Sequence, residues 1–177
     1  MIQIREAGIG DKNKIQEIHL RAFAKDEGSV IAALAGELLQ LNSTPPTFSL
    51  LAEVESQAVG HITFSPVCIN EDPRWKGYIL APLGVVPEFQ KKGVGSTLIE
   101  TGMTRLSEQD VHTVLVYGDP DYYSNFGFEP EVAEAFQPPH KLEYPFGWQG
   151  VNLNEYCRLS KSKQISCVGP LNDPTLW

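Results

Sequence analysis

Leu83-Gly84-Val85-Val86-Pro87-Glu88-Phe89-Gln90-Lys91-Lys92-Gly93-Val94-Gly95-Ser96-Thr97-Leu98 is the stretch that decides how this chain folds. An apolar run from Tyr78 to Val86 leads into it and reads as a buried central strand. Glu88 to Gly95 is a polar turn with two glycines, after which Val94, Leu98, Ile99, Met103 and Leu106 recur at the spacing of an amphipathic helix. Passing from a strand through a glycine turn to a helix start brings main-chain N–H groups together beside the positive end of the helix dipole, and such a place binds anions. Gly93 and Gly95 have no Cβ to hold a diphosphate off the backbone, and Lys91 and Lys92 add local positive charge.

Three phosphate-binding patterns compete for this turn. A P-loop requires a lysine after its last glycine, but Ser96 follows Gly95 directly. A dinucleotide-binding turn requires a third glycine where Leu98 stands, and the repeated βαβ units around it are absent. The third pattern, [RQ]xxGx[GA], is met at every defined position by Gln90-Lys91-Lys92-Gly93-Val94-Gly95.

Working outward, Ile2 and Ile4 alternate with polar residues as in a half-buried strand, and Asp11 stands at the cap position of a first helix with Ile15, Ile18, Ala22 and Phe23 on one face. Asp26-Glu27-Gly28 reads as a joint to a second helix that uses Val30, Ile31, Leu34, Leu38 and Leu41 and stops at Thr44-Pro45-Pro46. Phe48–Val54 and Ala58–Val67 form an antiparallel hairpin across Glu55-Ser56-Gln57. Pro82 cannot donate to a ladder, so the central strand is expected to bulge or splay there. A strand is expected from His112 to Tyr117, then a brief helix from Asp119-Pro120 through Tyr123 and Asn125, ended by Gly127, with an extended course from Phe128 to Glu131. Phe136 to Trp148, rich in proline and aromatics, is expected to cover a sheet edge and contribute to a pocket, before short strands near Gln149–Leu153 and Gln164–Val168. One domain from residue 1 to 177 is expected, with a C-terminal tail from about 169, and the element order describes a mixed α/β or α+β sheet.

The 177 residues carry 14 basic and 22 acidic side chains, a net charge of -8, which lacks the basic footprint of a nucleic-acid binder. Cys68, Cys157 and Cys167 are widely spaced and form no CxxC, so they read as buried or idle thiols of a reducing compartment. The N-terminus lacks an apolar signal core and no stretch has the length of a membrane span, so a cytoplasmic location is expected. His19, His61, His112 and His140 share no ligand spacing, so no metal is expected.

With its glycine turn, the chain resembles the GNAT superfamily of N-acetyltransferases, and the element order agrees to about Val168. A second match lies in Tyr123-Ser124-Asn125-Phe126-Gly127-Phe128, similar to the family's YxxxGF segment. Leu83-Gly84-Val85-Val86-Pro87 and Gly118-Asp119-Pro120-Asp121-Tyr122-Tyr123 resemble a bacterial subgroup of these acetyltransferases, although Val116, Tyr117 and Gly118 replace a frequent asparagine. The resemblance implies a mainly antiparallel sheet of six to seven strands flanked by helices, with a splayed central strand pair. It also implies acetyl-CoA as cosubstrate, held by Leu83, Gly84, Val85, Gln90, Lys91, Lys92, Gly93, Val94, Gly95 and Ser96, and direct acetyl transfer to a primary amine. The implied partner is a small-molecule or peptide amine, with nucleic acid and membrane excluded and a homodimer left open.

Tyr123 is then the candidate general acid, since a phenol of ordinary pKa about 10 can protonate a leaving thiolate. The central strand has no carboxylate or histidine to serve as base. His61, on one strand face with Thr63 and Ser65, is a candidate relay, and Asp26, Glu27 and Glu37 are further options. Without an identified base, a non-catalytic acyl-CoA-binding module stands as the alternative.

Overall fold

A computed structural model of the chain describes residues 1–156 and 161–177, which leaves Cys157 outside the described residues. In chain order the elements are β1 (Ile2–Glu6), α1 (Lys12–Ala22), α2 (Lys25–Gln40), β2 (Phe48–Val54), β3 (Gln57–Cys68), β4 (Gly77–Val85), α3 (Val94–Glu108), β5 (Thr113–Tyr117), α4 (Pro120–Tyr123), α5 (Pro130–Ala133), β6 (Phe136–Gln137), β7 (Trp148–Asn152), β8 (Lys163–Gln164) and β9 (Ser166–Cys167). Seven strands form one mixed, mostly antiparallel sheet in the order β1-β2-β3-β4-β5-β7, with β9 on β3, while β6 and β8 pair separately. The residues group into two compact units, Met1–Phe64 with Ala81–Gly102 and Ser65–Leu80 with Met103–Trp177.

In the first unit, β1 runs antiparallel to β2 from Ile2↔Val54 to Glu6↔Leu50, and β2 antiparallel to β3 from Phe48↔Phe64 to Val54↔Gln57. The β2–β3 turn needs two left-handed residues, and Glu55 (φ 49°) and Ser56 (φ 66°) take that conformation, which matches the twist of a hairpin. A register shift beside Ala52 leaves the Val59 carbonyl free of β2, and it accepts the N–H of Val86 at 2.9 Å. Arg5 bonds both carboxylate oxygens of Asp11 at 2.8 Å and reaches Glu53 at 2.9 Å, which holds the Asp11 carboxyl well below the usual range and keeps it from capping α1.

Two helical expectations need correction. Asp26, Glu27 and Gly28 lie inside the first turn of α2, where acidic side chains suit the helix dipole, and the joint is Phe23 and Ala24. Val30 is 52% exposed, because the buried face of α2 runs through Gly28, Ala32, Leu34, Ala35, Gly36 and Leu38. These small residues face α1 closely: a Cβ on Gly28 would meet the His19 carbonyl oxygen at 3.3 Å, and one on Gly36 the Gln16 amide at 2.8 Å.

In the second unit, β4 and β5 are parallel from Gly77↔Thr113 to Ile79↔Leu115, and β5 is antiparallel to β7 from Thr113↔Asn152 to Tyr117↔Trp148. The parallel register stops three residues before Pro82, as expected of a strand that must leave its ladder at a proline. α4 starts at Asp119, whose carboxylate accepts from the Asp121 N–H at 3.0 Å, with Pro120 in the first turn, and Gly127 at φ 84° ends the turn that follows. The expected extended course from Phe128 ends at Glu129, since Pro130 begins the short helix α5. The segment 136–148 packs on the strand ends: Trp148 donates to the Phe136 carbonyl at 2.8 Å and the Tyr144 N–H to the Tyr117 hydroxyl at 2.8 Å. The segment expected as a tail is folded, with Trp177 buried, stacked on Tyr117 and bonded to the Leu171 carbonyl.

Candidate functional site

Within the first unit, β4 delivers Leu83, Gly84 and Val85 to a short 3-10 turn, Pro87–Phe89, and the chain then bends sharply before α3. Lys91 (φ 57°) and Gly93 (φ 85°) are both left-handed. Alternation of left- and right-handed residues is the backbone pattern that gathers successive N–H groups into an anion-binding hollow. Among the described residues, the main-chain N–H groups of residues 91–96 donate to no protein acceptor. The arch is held by contacts that leave those groups alone. Gln90 donates its side-chain amide to the Val85 carbonyl at 2.9 Å, and Thr97 donates both its N–H, at 3.0 Å, and its hydroxyl, at 2.8 Å, to the Gly93 carbonyl. Gln90, expected as a ligand group, thus pins the turn to the end of β4.

α3 closes on β3 because Gly60 has no side chain, where a Cβ would lie 2.7 Å from Val94 and 3.1 Å from Leu98. Val94 and Leu98 are buried by this contact, which fixes the start of the helix against the sheet. Lys91, Lys92 and Gly93 are exposed, and a Cβ on Gly93 would meet nothing within 4 Å. The Lys92 ammonium lies 5.4 Å from the Phe89 ring centroid, which keeps its charge on the turn. Six unengaged amides, a helix N-terminus and two exposed cations make an arrangement suited to a diphosphate.

His61 lies in the same unit and, like Thr63, is fully buried; its partner, His19 of α1, was not legible in the sequence. His19 Nε2 and His61 Nδ1 are 2.8 Å apart, His61 Nε2 is 3.4 Å from the Thr63 hydroxyl, and Thr63 and Ser49 share a 2.8 Å bond. Burial lowers the His19 pKa to about 4 and, with the neighbouring His19, pushes His61 well below its ordinary value. Both rings are therefore neutral at pH 7. His19 Nδ1 is buried without a hydrogen-bond partner and lies against Gly84, where a Cβ would be 2.6 Å from it. Such an unmet polar atom costs about 1–3 kcal/mol. Sequence offered one signal for His19, its place on the apolar stripe of α1 between Ile15, Ile18 and Ala22. Asp26, Glu27 and Glu37 are all exposed, so nothing singles them out as bases.

Tyr123 belongs to the second unit. Its ring lies over Gly118, where a Cβ would be 2.6 Å from it, and meets Phe128 and Tyr122 edge-on at 5.7 and 5.0 Å. Burial, then the nearby Tyr122 and Asp119, push its phenol up, so the group stays protonated. Its hydroxyl donates to no protein acceptor among the described residues. Among the described residues, no group of three or more His, Cys, Asp or Glu is placed to hold a metal, and no helix is long and apolar enough to cross a membrane.

Comparison with known proteins follows the same lines. The acetyltransferase (GNAT) domain family matches residues 45–130, which include the glycine turn and Tyr123. YjhQ of Escherichia coli K12, described as an uncharacterized N-acetyltransferase, is 42% identical over 166 residues, covering 90% of this chain and 88% of that one. The crystal structure of the Escherichia coli GNAT family N-acetyltransferase YhbS in complex with CoA superposes with a TM-score of 0.81 at 24% identity, covering 97% of this chain and 92% of that one. A GNAT family acetyltransferase from Brucella melitensis in complex with acetyl-CoA gives a TM-score of 0.64 at 27% identity, over 89% of this chain and 92% of that one.

Proposed function

Because the chain belongs to the GNAT family of N-acetyltransferases, we propose that it transfers the acetyl group of acetyl-CoA to a primary amine by direct attack, with the turn at residues 90–96 as the seat of the coenzyme's diphosphate. The observation that carries this reading is the set of main-chain N–H groups from residues 91 to 96, unengaged by protein and placed at the start of α3. Two similar proteins were crystallised with CoA or acetyl-CoA, which supports the same ligand class here. Lys91 and Lys92 contribute charge, and Gly93 supplies the left-handed bend together with open space in front of the backbone.

In this reaction the amine nitrogen bonds to the acetyl carbon and sheds one proton to solvent, the carbon–sulfur bond breaks, and the CoA thiolate takes a proton from a donor that solvent then reprotonates. Tyr123 is the proposed donor of that proton. Its phenol is held protonated by burial, and its hydroxyl keeps its hydrogen bond unspent on protein. Main-chain N–H groups of Leu83, Gly84 and Val85 are the proposed donors to the oxyanion that forms on the acetyl carbon.

The test is thiol release from acetyl-CoA across polyamines, aminoglycosides, amino acids and peptide N-termini, beside calorimetric titration with CoA. Amine-dependent thiol release supports the reading. CoA binding without release for any amine would instead identify a binding module, and absence of CoA binding would remove the assignment of the turn.

A further inference from the structure

Among the described residues, the large aromatic side chains left exposed are Tyr122, Tyr144 and Phe146, at 36, 53 and 66%. All three belong to the second unit, and they come from two segments, 117–126 and 140–148, that meet at Gly118. The Gly118 N–H donates to the Gly147 carbonyl at 2.9 Å, a Cβ on Gly147 would lie 3.0 Å from the Gly118 carbonyl oxygen, and the Tyr123 ring lies over the same Gly118. Tyr122 meets Tyr123 edge-on at 5.0 Å, and the Tyr144 and Phe146 rings are 5.8 Å apart. Their backbone is pinned. The Tyr144 N–H is bonded to the Tyr117 hydroxyl, the Gly147 N–H to the Tyr144 carbonyl at 2.9 Å, and the buried Gln149 amide donates to the Gly118 and Gly147 carbonyls at 3.3 Å. Single exposed apolar side chains are ordinary, but rings held in the open around one glycine form a patch of the kind that takes a ligand. The Tyr123 hydroxyl beside it spends no bond on protein and, unlike the unpartnered Gln149 Oε1, is not enclosed. The same two segments carry three exposed carboxylates, Asp119, Asp121 and Glu143, against one exposed lysine, Lys141, and His140 is bonded to the Asn172 carbonyl at 2.9 Å. Asp119 acts on the Tyr123 phenol and Glu143 on that of Tyr144, so both charges are felt at the rings.

Resting on the acetyltransferase reading, we propose that the acceptor is an arylalkyl amine without a carboxylate, its ring seated on Tyr122, Tyr144 and Phe146 and its nitrogen turned toward Tyr123. An aryl ring gains from offset or edge-on contact with these side chains in addition to the area it buries. Three carboxylates against one lysine draw the ammonium form to the patch, where the faces of tyrosine and phenylalanine also attract a cation. A carboxylate on the substrate meets like charge there, so an aromatic amino acid is disfavoured relative to the amine that lacks the carboxyl group. Polyamines and aminoglycosides bring the positive charge but no ring, and their polar groups lose water against the aromatic patch. The bound ammonium gives one proton to solvent before it attacks, and bond making and breaking then follow the transfer already described. In balance, one ammonium and one acetyl-CoA give one amide, one thiol and one released proton.

The test measures kcat/KM by thiol release for 2-phenylethylamine, L-phenylalanine, propylamine, spermidine and kanamycin, in the natural protein and in Phe146→Ser and Phe146→Tyr. The expected result is a preference of at least about tenfold for 2-phenylethylamine over each of the other four. Phe146→Ser should lower the ratio of 2-phenylethylamine to propylamine by about tenfold, through KM rather than kcat and with acetyl-CoA affinity by calorimetry unchanged. Phe146→Tyr, which keeps a ring, should preserve the ratio. Because Phe146 is largely exposed, its replacement removes contact with the amine rather than core packing, and a thermal melt checks that the fold is kept. No preference for 2-phenylethylamine, or a ratio that Phe146→Ser leaves unchanged, overturns the aryl seat and leaves the acetyltransferase reading standing. Absence of thiol release by the natural protein with every amine overturns both.

Discussion

Replacing Gly84 by alanine isolates the contact on which the buried histidine pair depends. The backbone at Gly84 is not left-handed, so alanine introduces no conformational strain, and the effect reduces to the added methyl group. That carbon would lie 2.6 Å from His19 Nδ1, 2.8 Å from its Cε1 and 3.5 Å from the Ala22 Cβ, against a ring that is 0% exposed. Overpacking of this kind costs about 1–3 kcal/mol, offset by the roughly 0.4–1 kcal/mol that alanine gains by restricting the unfolded chain. A net loss of about 1–2 kcal/mol should lower the melting temperature by about 2–8 °C for a chain of this size. Calorimetric melts of Gly84→Ala, His19→Ala and the double variant separate the contact from other effects. With the ring removed, the same glycine substitution should be neutral or slightly stabilising, a coupling of at least about 1 kcal/mol. An equal penalty in both backgrounds, or no penalty in either, would refute the packing of His19 against Gly84.

Other outcomes follow from the same geometry. Gly95→Glu should abolish CoA binding by setting bulk and negative charge against the free amides, and a retained micromolar affinity, about -8 kcal/mol, contradicts the site. Tyr123→Phe should lower turnover by roughly ten- to a thousand-fold with CoA affinity nearly unchanged; equal turnover, with chemistry rate-limiting, removes Tyr123 from the reaction. Acid should destabilise the fold through the histidines. His19 binds its proton only near pH about 4 when folded but near pH 6.5 when unfolded. The unfolded state therefore binds more protons as pH falls from about 6.5 to about 4, and stability drops over that window by about 3 kcal/mol. Urea unfolding at pH 7 and pH 4.5 should show a smaller difference for His19→Gln than for the natural protein, and equal differences would count against the neutral pair.

The strand, turn and helix around residues 83–98 were legible because their determinants are local: apolar periodicity, two glycines and the [RQ]xxGx[GA] spacing. The β2–β3 hairpin and the stop at Gly127 were legible for the same reason, since turn chemistry is written in neighbouring residues. What escaped the sequence depends on contacts between distant residues. His19 and His61 are 42 positions apart, and only packing of α1 against the sheet joins them. The buried face of α2 was misplaced because Gly28, Ala32, Ala35 and Gly36 are chosen for closeness to α1 rather than for hydrophobicity, which left the more apolar Val30 outside. The role of Gln90 was likewise hidden, because its bond to the Val85 carbonyl exists only once the arch has formed.

The seat of the coenzyme is the claim from which the rest proceeds, and amide spectra read it residue by residue. On titration of nitrogen-15-labelled protein with CoA, the N–H signals of residues 91–96 should move first and furthest, with downfield proton shifts typical of amides donating to phosphate oxygens. If those signals stay where they are while amides elsewhere respond, the coenzyme binds in another place.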